Sequence, residues 1–184
     1  MTDEREDPPA EAYERVTDAE RFAVLHEWAA ELLDRLVEDY DVVRTDDVGT
    51  DDGGSSASIV TLTPSRPDAA TVRIRFTAFP GVGLSCGRWS EESYPHCGCD
   101  ACDEQPDELL DELITRIEAV VMGGFSEELT SDGERWLRTS VRTLRERGTS
   151  AELIEPEEYA RYGAPGRYDW RPWPRRANGQ AGSA

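Results

Sequence analysis

Phe22, Leu25, Ala29, Leu32, Leu33, Leu36 and Tyr40 recur every three or four residues, so a helix here gathers them on one face and leaves Glu27, Glu31, Arg35 and Glu38 on the other. Such a stripe has to be buried, and the chain that follows supplies the surface. Thr71–Phe79 changes to a two-residue period: Val72, Ile74, Phe76 and Ala78 alternate with Thr71, Arg73, Arg75 and Thr77. That is the pattern of a strand with one buried and one wet face. Ser58–Thr63 and Val82–Trp89 read as strands beside it, and Pro80-Gly81 suits the centre of a type II turn joining two of them. An antiparallel meander against a helix is the expected nucleus of the fold.

Other signals extend this frame. Thr17-Asp18-Ala19-Glu20 has capping-box spacing, in which a hydroxyl and a carboxylate satisfy free backbone N–H groups at a helix start. Residues 45–56 are rich in Asp, Gly and Ser and read as an acidic loop. Their aspartates lack the alternate spacing and closing Glu of a calcium-binding EF-hand loop. Pro106 suits a first helical position, and Leu110, Leu113, Ile114, Ile117 and Val121 form a second apolar stripe ending at Gly123-Gly124. Thr139, Val141 and Thr143 favour a strand over 134–144, although Leu137, Val141 and Leu144 also suit a helix. Residues 156–162 suit a short helix. The closing Trp170–Arg176, with its aromatics, prolines and arginines, reads as an extended segment packed on the domain with Arg over Trp.

The expected class is therefore α+β: a single domain over residues 17–176, with an antiparallel sheet of about four to five strands against two main helices. The order is roughly α-β-β-β-α-β, a short helix and an extended tail. Residues 1–16 and 177–184 are expected to be disordered tails, the first because it is acidic and poor in apolar side chains.

Charge narrows the function classes. There are 39 acidic residues against 20 basic ones, every basic residue is Arg, and the formal net charge is −19. A shortage of clustered cations argues against binding nucleic acid, where affinity comes from neutralising phosphates. Missing Lys alone would suit a GC-rich genome; the added acid excess favours adaptation to a salty cytoplasm, where screening relieves carboxylate repulsion. The stretch Met1–Asp7 is acidic where a signal peptide would be basic and then apolar, and no apolar run is long enough to span a bilayer. A cytoplasmic protein that does not bind membranes is expected.

The chemically unusual stretch is His96-Cys97-Gly98-Cys99-Asp100-Ala101-Cys102. Closely spaced cysteines in a cytoplasmic chain suggest metal or redox chemistry before structural disulfides. Zinc is the candidate cofactor: Gly98 permits a tight turn that brings Cys97 and Cys99 together, and Cys102 follows after a two-residue gap. A fourth ligand would be His96, Asp103, Glu104, Cys86 or water. Cys99 and Cys102 could instead form a redox pair, but Asp100, Asp103 and Glu104 oppose the thiolate that such a pair needs. Reduced thiols in a tight loop without chemistry are the third reading. Cys86 shares the face of Val82 and Leu84, as a buried thiol would, and His26 reads as an ordinary helix residue. No serine-hydrolase order, phosphate-binding glycine loop or His-Glu-x-x-His motif is present.

Five stretches together resemble an uncharacterised family, a domain of unknown function. They are Tyr13-Glu14-Arg15-Val16-Thr17, Phe76-Thr77-Ala78-Phe79-Pro80-Gly81, Gly87-Arg88-Trp89, Cys97-Gly98-Cys99-Asp100-Ala101-Cys102-Asp103-Glu104 and Trp170-Arg171-Pro172-Trp173-Pro174-Arg175-Arg176. The resemblance covers about residues 10–176 and brings no activity with it. It implies one domain and a strand at 134–144. It also implies that Cys86 and His96 are peculiar to this chain, which leaves the three loop cysteines with Asp103 or Glu104 as the better ligands. The functional expectation is a non-enzymatic domain, its cysteine loop closed by zinc, that interacts with another protein. The alternative is a small enzyme using the cluster as a catalytic metal or thiol site, which would need a pocket beside Cys99.

Overall fold

A computed structural model describes residues 9–51, 53–131 and 133–177. Most of the two expected tails, residues 1–8 and 178–184, lies outside them. The elements in chain order are α1 (Ala10–Tyr13), a 3-10 turn (Ala19–Ala23), α2 (Val24–Asp39), β1 (Val42–Thr50), β2 (Ser56–Pro64), β3 (Val72–Phe76), β4 (Val82–Cys86), β5 (Ser90–Tyr94), α3 (Pro106–Val121), β6 (Phe125–Leu129), β7 (Arg135–Arg142), β8 (Arg147–Ile154), a second 3-10 turn (Pro156–Glu158), α4 (Tyr159–Tyr162) and β9 (Gly166–Asp169). The α+β class and the single domain stand. The strands form two antiparallel sheets where one was expected: a five-stranded meander β1-β2-β3-β4-β5 and a four-stranded sheet ordered β8-β7-β6-β9.

The apolar stripe of α2 packs through Leu25, Ala29 and Leu33, and that of α3 through Leu113, Ile117 and Val120, into one core with Leu62, Val72, Ile74 and Leu84 of the meander. Phe125 from the second sheet and Trp173 from the closing segment complete that core. A smaller cluster of Trp89, Leu129, Leu137 and Ile154 packs beneath Tyr159, Tyr162 and Tyr168. No helix among the described residues is long and apolar enough to cross a membrane.

Four local expectations are corrected. The presumed acidic loop at 45–56 is mostly strand: β1 pairs with β2 along its whole length, from Val42 opposite Pro64 to Thr50 opposite Ser56. It is an edge strand with six consecutive exposed positions, so its side chains carry no burial signal. Thr17-Asp18-Ala19-Glu20 forms no capping box; Asp18 sits in the left-handed region at φ 57° without a side-chain cap, and the Thr17 hydroxyl bonds elsewhere. Residues 9–16, placed in the acidic tail, instead include α1, with Ala12 buried. The arginine of the closing segment stacks over a tyrosine: Arg175 lies 4.5 Å from the Tyr40 ring centre, while Trp173 packs edge-on against Tyr40 and donates to the Ala70 carbonyl. The strand expected at 134–144 and the short helical stretch at 156–162 are present as β7 and as the second 3-10 turn with α4.

Candidate metal centre

The cysteine run lies in the crossover from β5 to α3, after a cis Tyr94–Pro95 bond. Gly98 adopts φ +80°, and a Cβ there would lie 3.0 Å from the Phe79 ring and 3.1 Å from Pro95. Glycine is therefore required both by the turn and by the space available. The loop folds round the carboxylate of Glu104, which accepts from the backbone N–H groups of His96 (2.8 Å), Cys97 (3.0 Å) and Gly98 (2.6 Å). Burial raises the Glu104 pKa, but those amides and nearby His96 outweigh it and hold the carboxyl below its usual range.

A second carboxylate fastens the loop to the N-terminal segment. Asp100 accepts from the Thr17 amide at 2.6 Å, from the Thr17 hydroxyl and from Arg15 Nε at 2.6 Å. These bonds depress its carboxyl to about 2, the Thr17 hydroxyl contributing most. The Asp100 and Ala101 amides donate in turn to the carbonyls of Arg15 (2.8 Å) and Ala12 (3.2 Å). The loop thus joins three pieces of chain: residues 12–17, the β3–β4 turn and the approach to α3.

Within this frame the sulfurs of Cys97, Cys99 and Cys102 all lie within 4.8 Å of one another. In a tetrahedral zinc site, metal–sulfur bonds of about 2.3 Å put sulfurs roughly 3.8 Å apart, so only a small contraction is required. Cys99 is buried, while Cys97 and Cys102 are exposed. A hydrogen bond from the Cys97 thiol, followed by one from the Cys102 amide, lowers the Cys99 pKa. Cys102 moves the other way, up to about 12, chiefly through its hydrogen bonds with Cys99 and Cys97. The three thiols thus hydrogen-bond to one another, and once deprotonated they are the soft donors that zinc selects.

The other candidate ligands have different partners. His96 Nε2 meets Glu112 at 2.9 Å, its ring tilted against Tyr94. The Asp103 carboxylate receives Gln105 Nε2 at 3.0 Å, and Glu104 is occupied by the three amides. Cys86 belongs to the main core, where burial raises its pKa. His26 bonds the Gly81 carbonyl at 2.7 Å and stands edge-on to Phe76, so it braces the β3–β4 turn.

One polar centre was missed in the sequence. Glu127 of β6 is 1% exposed, and each of its oxygens accepts twice: Oε1 from the Arg88 amide (2.6 Å) and Trp170 Nε1 (3.0 Å), Oε2 from the Trp89 (2.9 Å) and Ser90 (3.2 Å) amides. It bridges the β4–β5 turn of one sheet to the other sheet. The signal that could have found it is Phe125-x-Glu127-x-Leu129, where strand alternation, once β6 is known, places a Glu on the apolar face.

Residues 2–177 match a family of unknown function, DUF6226, and the chain belongs to it. No curated protein and no solved structure matches.

Proposed function

We propose that this member of a family of unknown function uses Cys97, Cys99 and Cys102 to hold one zinc ion as a structural tie, and that the domain works by binding a protein partner. The observation carrying the metal reading is the convergence of the three sulfurs within 4.8 Å in a loop already held by Glu104 and Asp100. Such a loop loses little further entropy when metal binds, so most of the binding energy is available to stabilise the crossover and its grip on residues 12–17. The fourth ligand of the tie comes from His96, Asp103, Glu104 or water; the three side chains now meet Glu112, Gln105 and the loop amides respectively.

A catalytic use of the same thiols would require a cleft with polar groups converging on Cys99. The clefts of about 690 and 700 Å³ are lined by residues of the strands, the helix ends and the β7–β8 turn, and a smaller one of about 350 Å³ reaches His96 and Glu112. A salt-rich cytoplasm remains the environment that best accounts for the charge of −19 and the absence of Lys.

Cobalt(II) tests the ligand set, since it enters zinc sites and reports thiolate coordination as near-ultraviolet charge-transfer absorption. One equivalent should produce that band, weakened in Cys97→Ser or Cys102→Ser. A spectrum lacking the band, or one unchanged in both variants, would overturn the assignment.

A further inference from the structure

On a chain with 39 acidic residues against 20 basic ones, one face reverses the ratio. Two neighbouring depressions meet at Gly123, Gly124 and Arg142. The first, about 700 Å³, runs between the C-terminal ends of α2 and α3 and the β7–β8 turn. Its apolar lining includes Leu32, Leu36, Ile114, Val121, Met122 and Leu144, and Arg35, Arg142, Arg145 and Arg175 stand round it with Asp39 and Glu118. The second, about 490 Å³, adds Arg147, Arg167 and Arg171 with Asp169. Basic side chains therefore outnumber acidic ones seven to three over the two depressions. Two of the seven are neutralised, Arg175 by Asp39 and Arg167 by Asp169. Among the described residues Arg142, Arg145 and Arg147 form no ion pair and are exposed.

The apolar part of this face is held in place. Leu144 is 97% exposed and Met122 57% exposed. Leu144 sits at the tip of a turn in which the Thr143 hydroxyl accepts from the Arg145 (3.2 Å) and Glu146 (3.0 Å) amides. The base of that hairpin is fixed to the end of α3, where the Arg142 amide donates to the Gly124 carbonyl at 2.9 Å. A Cβ on Gly124 would lie 1.9 Å from the Arg142 carbonyl oxygen, so the close approach depends on glycine. An exposed leucine on a braced turn, beside an apolar groove and unpaired arginines, is organised before any ligand arrives, which lowers the ordering cost of binding.

We infer that this face docks a short acidic, amphipathic segment of a partner protein, with its apolar side chains in the groove and its carboxylates on Arg142, Arg145 and Arg147. Charge complementarity selects the acid, and the apolar lining selects a peptide over a nucleic acid, whose affinity would rest on the arginines alone. The inference deepens the partner-binding half of the proposed function and is independent of zinc.

The test is selection of a random peptide library displayed on phage against the full chain, with counter-selection on the variant Arg142→Glu/Arg145→Glu. Both arginines are exposed, and unchanged circular dichroism would show that the variant folds. Enriched peptides should carry net negative charge with apolar residues three or four positions apart. They should bind either that variant or Leu144→Ser about tenfold more weakly than the wild type. Failure to enrich, enrichment of neutral or basic sequences, or equal binding to all three proteins would overturn the inference. So would single-stranded RNA binding the same arginines without sensitivity to Leu144→Ser, which would assign the face to nucleic acid. Cobalt coordination is read separately, so failure here leaves the metal assignment standing.

Discussion

Glu127 accepts four hydrogen bonds on its two oxygens, and all four partners are donors. A proton on either oxygen would face an N–H group, so an acceptor-only carboxylate is what the site requires, even though burial raises its pKa. Glu127→Gln places an NH₂ against those donors and should cost about 2–4 kcal/mol of unfolding free energy, measured by denaturant titration. A change below about 0.5 kcal/mol would contradict the bridging role. Asp51 shows the opposite balance. Its carboxylate accepts from the Gly53 (3.1 Å), Ser55 (2.8 Å) and Ala78 (3.1 Å) amides, tying the β1–β2 turn to the β3–β4 turn. Those bonds, the one from Ala78 foremost, lower its pKa. Because the folded value lies below the unfolded one, the contribution is complete above the ordinary carboxylate range and is lost as pH falls through the folded value. The Ser55 and Ala78 amide resonances should therefore titrate together below the ordinary carboxylate range and stop doing so in Asp51→Ala; a midpoint within or above that range would contradict the assignment.

At the scale of elements, legibility followed burial. The stripes of α2 and α3 and the alternation of β3 were readable because each buries one face in the core. β1 and β8 were not, because nearly all their side chains are exposed and backbone pairing alone defines them. β6 alternates, but its central buried position is Glu127, which breaks an apolar pattern. The convergence of the three cysteines was legible through their spacing, whereas the architecture of the loop was not. The roles of Glu104 and Asp100 depend on contacts with backbone amides and with residues 15–17, far away in sequence. The loop and residues 12–17 therefore behave as one unit. Chelation should speed amide exchange at Asp100 and Ala101, whose donors reach that segment, far more than at Ile74 in the core. Uniform acceleration, or none, would show that metal does not hold the junction.

For the whole molecule, a charge of −19 spread over a small domain makes self-repulsion a standing cost that salt relieves. At 0.1 M salt the Debye length is about 10 Å and at 1 M about 3 Å, so raising KCl should stabilise the chain while weakening the exposed ion pairs. The melting temperature should climb from dilute buffer to molar KCl; a flat or falling profile would remove the case for salt adaptation. For the three converging sulfurs the deciding measurement is the metal content of untagged protein purified in high salt. About one zinc per chain is expected, with stability lost on chelation and restored by added zinc. Protein that is free of metal, carries four titratable thiols and unfolds identically with and without zinc would contradict it.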